Sequence, residues 1–238
     1  SAHAMTSRLH AYTIKRFIRI AVSVFLLITI TGLLSWLTVR AFTIQSIVVD
    51  APLMSIELDK NRFGKNLLFL PTSKLREELL ENYSLLSDVQ FEKKSPGTLI
   101  VHLIRRNTFV VLVSEGVSYA IDEHGLVLGG IESGESRYPV LTFRCGALAV
   151  GSTVPCQGVR ASLAFLLRLD ASEYPSRMVE KDSVSIHAIR GDTNIFLPQT
   201  GDLGAKADTL QTITEGFRIK GTLPTVIDLR FEKPIITN

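Results

Sequence analysis

Between Ile20 and Val39 the chain runs IAVSVFLLITITGLLSWLTV, twenty residues without a charge, and no other stretch limits so sharply what the rest can become. At about 1.5 Å per helical residue this run matches the ~30 Å hydrocarbon layer of a bilayer, so it predicts a transmembrane helix over residues 20–39. A secretory signal is the alternative. Its apolar core is ordinarily only ~7–15 residues and ends in a small-x-small cleavage site, a pattern that Val39-Arg40-Ala41 fits poorly. Arg8, Lys15, Arg16 and Arg19 precede the run with no acid among them, and only Arg40 follows closely. By the positive-inside bias, the N-terminus is expected in the cytoplasm and everything past residue 40 outside. Ser1 to Ala4, ahead of Met5, read as a cloning remnant, so residues 1–19 are expected to be that remnant plus a short cytoplasmic tail.

This anchor also explains the charge. The formal net charge is +3, but five of the 26 basic residues flank the span, leaving 21 against 23 acids beyond it. The exterior is therefore slightly acidic, with its basic residues interspersed among acids. That distribution argues against a nucleic-acid partner, which calls for a basic stripe on one face. The bilayer is the partner the anchor predicts.

About two hundred residues remain outside, enough for one large core or two small ones. Phe42 to Val49, FTIQSIVV, reads as a strand that begins as the chain leaves the membrane. A short helix is expected over Met54 to Gly64, and a second behind Pro71, with Thr72 or Ser73 as cap and Leu75 and Leu79 on one face. Alternating residues on either side of Ser95-Pro96-Gly97 predict a hairpin with a type II turn. Strand, helix, helix, strand, strand makes a small α+β sandwich over residues 41–106. Residues 107–233 change to short strands with tight turns: FVVLV, VSYAI, LVLGG, then Val184 onward and NIFLP. Helices are expected at Ala161 to Asp170 and around Leu210, Ile213 and Phe217. The fold class is thus α+β, with one membrane helix followed by a β-α-α-β-β module and a mixed β-sheet domain with flanking helices.

Catalytic chemistry is not visible. The histidines stand at positions 3, 10, 102, 124 and 187, with no pair spaced to give a metal two ligands from one element. G-x-S-x-G, G-x-x-x-x-G-K-[ST] and H-E-x-x-H are all missing. Asp122-Glu123 resembles an acid/base pair only in composition; adjacent residues on a hairpin turn project differently and are solvated, so a turn role is expected. No catalytic residue, metal, cofactor or small-molecule substrate is predicted. Asn82-Tyr83-Ser84 matches a glycosylation sequon, a pattern too short to set a compartment. Cys145 and Cys156 both lie outside, where an oxidising compartment permits a disulfide; two unrelated buried thiols are the alternative, and both readings stay open.

Near the C-terminus VIDLRFEKPII alternates Ile227, Leu229 and Phe231 against Asp228, Arg230 and Glu232. This is the period of a half-buried strand, expected over about Val226 to Glu232 at or near a sheet edge, with Pro234 ending it and 234–238 as a tail.

The order of these segments carries a resemblance. A short basic tail and one span lead directly into FTIQSIVVDAP and GKNLLFLPTSKLREELLENYSLLSDVQFEKKSPGTLIVHLIRR. YAIDEHGLVL, YPVL and VIDLRFEKPII then follow. The succession resembles the bacterial cell-division FtsQ/DivIB family over residues 12–233. The resemblance implies a POTRA domain, then a β-domain, in a non-enzymatic divisome protein. It also implies residence in the cytoplasmic membrane at the division septum. Implied partners are membrane coiled-coil proteins of the FtsB/DivIC and FtsL type, with other divisome proteins. On it, Asp228, Leu229, Arg230, Phe231 and Glu232 become candidate partner-binding residues, with Arg230 as charge partner and Phe231 as apolar anchor. Two other readings compete. A POTRA protein of outer-membrane assembly would carry several such modules and a barrel, and an anchored extracytoplasmic hydrolase would show turnover.

Overall fold

The computed structural model describes residues 2–51, 63–64, 66–131, 137–219 and 221–237, with side chains from residue 21 onward in the first helix. It divides into two compact units, Ser1–Ile104 and Arg105–Asn238.

The first unit opens with α1, Ala2–Ala41, a helix that continues well outside the twenty uncharged residues. Its segment Ala21–Ala41 is long and apolar enough to cross a membrane, and none of it is covered by the rest of the chain. In lipid a hydroxyl has no water to bond. Those of Thr29, Thr31 and Thr38 instead donate to helix carbonyls three or four residues back.

Beyond it, β1 (Ser46–Asp50) lies parallel to β3 (Thr98–Arg105), and β2 (Leu86–Lys94) flanks β3 on its other side. Helix α2 (Thr72–Asn82) turns Leu75 and Leu79 into a core shared with Leu86, Val89, Leu99, Val101 and Leu103. The expected helix at Met54 to Gly64 lies outside the described residues except for its last two positions, so the β-α-α-β-β order is seen without its first helix. Three local expectations change. Strand β1 starts at Ser46 rather than Phe42, because Thr43 bridges to Asn66 and the Gln45 amide donates to the Gly97 carbonyl at 2.8 Å. Neither Thr72 nor Ser73 caps α2; its cap position is Pro71, which offers no side-chain hydrogen bond. The β2–β3 turn is not type II, since Gly97 lacks the positive φ that type demands. Gly97 is needed for space: a Cβ there would stand 2.5 Å from the Thr43 carbonyl oxygen.

The second unit is built on one nine-stranded mixed sheet. Its strands are β4 (Val110–Ser114), β5 (Val117–Ile121), β6 (Val127–Gly130), β7 (Val140–Thr142), β8 (Arg177–Asp182), β9 (Ser185–Arg190), β10 (Thr193–Pro198), β11 (Val226–Asp228) and β12 (Ile235–Thr237). They lie in the order β12-β11-β10-β9-β8-β7-β4-β5-β6. Register sets one row of side chains across it: Leu112, Leu141, Met178, Ala188, Ile195 and Ile227, each inaccessible to solvent. Helices α3 (Gln157–Leu166) and α4 (Leu203–Ile219) complete that core, with Phe165, Leu166, Ala207 and Leu210 among their contributions. A sheet covered on one face in this way is the α+β arrangement of helices layered on a mixed sheet.

Three of these strands are departures from expectation. Strand β7 forms in a region that offered only three strand residues, β8 has only Met178 fully inward among charged neighbours, and β12 forms within residues 234–238, expected to be a tail. Asp122 also departs. It is buried rather than solvated, its carboxylate accepting from the His124 and Leu126 amides and from Arg106. Cys145 and Cys156 are joined, with an S–S length of 2.01 Å.

Candidate functional site

The C-terminal residues singled out by alternation do not form one strand. Strand β11 stops at Asp228, and residues 229–234 turn back so that β12 pairs antiparallel with β11, Ile227 opposite Ile236. The expectation of a strand over Val226 to Glu232 is therefore corrected in its length, while its place near the sheet edge stands. Strand β11 is three residues long and second from the edge, between β10 and β12.

The turn is held by three contacts. The Leu229 amide donates to the Phe196 carbonyl at 2.8 Å, which pulls the Leu229 side chain fully into the core. The Lys206 ammonium, reaching from α4, donates to the Phe231 carbonyl at 2.6 Å. Arg230 folds back on Asp228: its Nη2 lies 2.6 Å from Oδ2, its Nε 3.0 Å from Oδ1, and its amide also donates to Oδ1. Asp228 is only 8% exposed, so its charge needs this partner. Hydrogen bonds from the Arg230 side chain hold the Asp228 carboxyl below its ordinary range, against burial, which pushes it up. The same pairing raises Arg230.

Each candidate residue thus has a defined place. Leu229 belongs to the core and cannot touch a partner without unfolding the turn. Asp228 is buried and engaged. Arg230 is exposed on one side while bonded to Asp228 on the other. Phe231 is 52% exposed and lies in the turn, outside the face of Ile227, because the strand that would have turned it inward ends three residues earlier. Glu232 is exposed.

The sheet face opposite the helices brings in residues that alternation did not nominate. Register aligns Val179, His187, Phe196, Asp228 and Ile235 in one row from β8 to β12. The His187 ring stacks on Phe196 with centroids 4.8 Å apart. Lys181 and Arg230 place their cations 4.4 and 5.3 Å from the Phe196 ring centre, contacts worth about 0.5–1 kcal/mol each at an exposed site. Phe196 therefore ties the Asp228–Arg230 pair to the neighbouring strands.

At the end of the row lies β12. Ile235, Ile236 and Thr237 are all exposed, Ile235 at 55%. Among the described residues no strand lies beyond it. The signal that could have found it is the succession of two β-branched isoleucines and a threonine after Pro234, a composition that suits strands. Among the described residues no group of three His, Cys, Asp or Glu side chains converges as a metal would require. No family model matches this chain, and no curated protein matches it.

Proposed function

We propose that this protein is a membrane-anchored assembly factor that captures an extended segment of another protein on the β12 edge. The observation that carries the reading is β12 itself: three exposed residues, two of them isoleucine, with a neighbouring strand on one side only among the described residues. Main-chain groups on such an edge are a template for a further strand, and alternate side chains set the choice of partner. Ile235, on the open face beside Asp228 and Arg230, would offer an apolar contact next to a guanidinium. Phe231 would add a second apolar surface from the turn.

Taken with the likeness of segment order to the FtsQ/DivIB family, the reading becomes specific. The partner is a one-span coiled-coil protein of the FtsB/DivIC or FtsL type, the first module of the exterior is a POTRA domain, and the chain acts without catalysis at the division septum. The N-terminus is cytoplasmic and residues 41–238 lie outside, in keeping with the four-to-one basic asymmetry around the span.

Capture from detergent-solubilised membranes tests this. The full chain should bring down small one-span coiled-coil proteins, and a chain ending at Pro234 should not. Ending there removes β12 while sparing Leu229, so the shortened exterior should still melt cooperatively. Undiminished capture by that folded variant would rule the edge out.

A further inference from the structure

The turn that leads into α2 in the first unit has an unusual composition. Asn66 is followed by Leu67-Leu68-Phe69-Leu70, of which Leu67 and Leu70 are buried in the core of the unit. Between those two anchors Leu68 is 51% and Phe69 75% exposed, in a turn where Gly, Asn, Asp or Ser would be ordinary. The turn is attached to the end of α1. The Asn66 side chain donates from Nδ2 to the Val39 carbonyl at 2.8 Å, and its Oδ1 accepts from the Leu68 amide at 2.9 Å. The Leu67 amide donates to the Phe42 carbonyl, and Asn66 bridges to Thr43. One amide side chain thus satisfies a carbonyl of the last helical turn, which has no partner within the helix, and shapes the turn that carries Leu68 and Phe69.

The level of this attachment follows from the helix. Ala21–Ala41 contains 21 residues, about 31 Å at 1.5 Å per residue, against a hydrocarbon layer of ~30 Å. Its last turn therefore ends where acyl chains meet headgroups. The Arg40 guanidinium lies 5.2 Å from the centre of the Trp36 ring, and tryptophan and arginine favour that same interfacial depth. A side chain bonded to Val39 is at the membrane surface, and Phe69 is three residues further on.

We propose that Leu68 and Phe69 insert into the lipid interface beside α1, forming a second, shallow anchor that fixes the first extracytoplasmic module on the bilayer. The occupant is lipid because the turn that carries the exposed pair is bonded to the end of an apolar helix whose own partner is lipid. This inference rests on α1 spanning a membrane and is independent of any partner at β12.

The test uses the full chain in lipid nanodiscs. Trp36, the one tryptophan of the chain, first serves as a reference: its emission should be quenched by lipids brominated on their acyl chains, and failure there would overturn the span itself and the inference with it. Trp36→Phe combined with Phe69→Trp then reports on the tip, and Leu68→Trp in the same background is a second reporter. Lipid brominated near the carbonyl end of its acyl chains should remove most of the emission, while iodide in the water should leave it nearly unchanged. Adding Asn66→Ala should reverse the pattern in part, since the tip then loses its attachment to Val39. Emission quenched by iodide and not by bromolipid would place the tip in water and overturn the proposal. Protection from both quenchers would assign it to a protein contact and overturn it equally.

Discussion

Strands β6 and β12 are the two edges of the same nine-stranded sheet, and the chain treats them differently. The outer side of β6 is occupied: the Val127 amide donates to the Ser152 carbonyl, the Gly151 amide donates to Val127, and Leu126 bridges to Thr153. The covering segment lies between Cys145 and Cys156, whose disulfide closes it into a loop. Strand β12 has neither cover nor crosslink among the described residues. It also lacks the lysine or proline within the strand that commonly blunts an edge. Among the described residues one edge is thus covered and stapled and the other is not, and it is on this contrast that the proposed capture of a partner strand rests.

The comparison can be attacked at several points. The largest effect belongs to the root of the open edge. Leu229→Ala removes a fully buried side chain and should lower stability by about 2–5 kcal/mol. Ile235→Ala, a few residues away on the surface, should stay within about 0.5 kcal/mol. Urea unfolding of the two variants measures the contrast, and similar values would mean that the turn at 229–234 is not rooted in the core.

Reducing or replacing the disulfide comes next. Opening a loop of this length should cost about 2–3 kcal/mol on the chain-entropy view. The loss should appear as faster amide exchange in residues 125–130, with β12 unaffected. Equal loosening of both edges would show that the staple serves the whole unit and not β6.

The smallest effect concerns the pair beside β12. Because Arg230 holds the Asp228 carboxyl below its ordinary value of 3.8, the folded state binds a proton less readily than the unfolded one. The pair's contribution is therefore complete above pH 3.8 and is lost as pH falls through the lower folded value. Asp228→Asn should cost about 1 kcal/mol at neutral pH, as expected for a hydrogen-bonded pair with one partner partly in water. It should also flatten the acid limb of the stability profile. An unchanged acid limb would show that Arg230 spends its time in solvent.

What could be read from the sequence follows from how much pattern each element carries. Strands β4, β5, β9 and β10 and helix α4 each repeat their apolar period often enough to be found, and α1 is defined by the length of its uncharged core. Strand β12 has three residues, too few for a period of two to appear, and β8 shows a single inward methionine among Arg177, Glu180, Lys181 and Asp182. The candidate site was legible in place and not in form. Alternation over Val226 to Phe231 is real in the sequence, yet the strand ends at Asp228 and the chain turns once the Leu229 amide has bonded to the Phe196 carbonyl. That contact is tertiary: it joins residues 33 positions apart and no local pattern contains it.

The central claim is that β12 accepts a strand through its main chain. Hydrogen exchange on the complex captured from membranes measures this directly, by comparing amides at 235–237 and at 127–130 with and without the partner. The account predicts slowed exchange at 235–237 and no change at 127–130. Partner bound with exchange at 235–237 unaltered would contradict it.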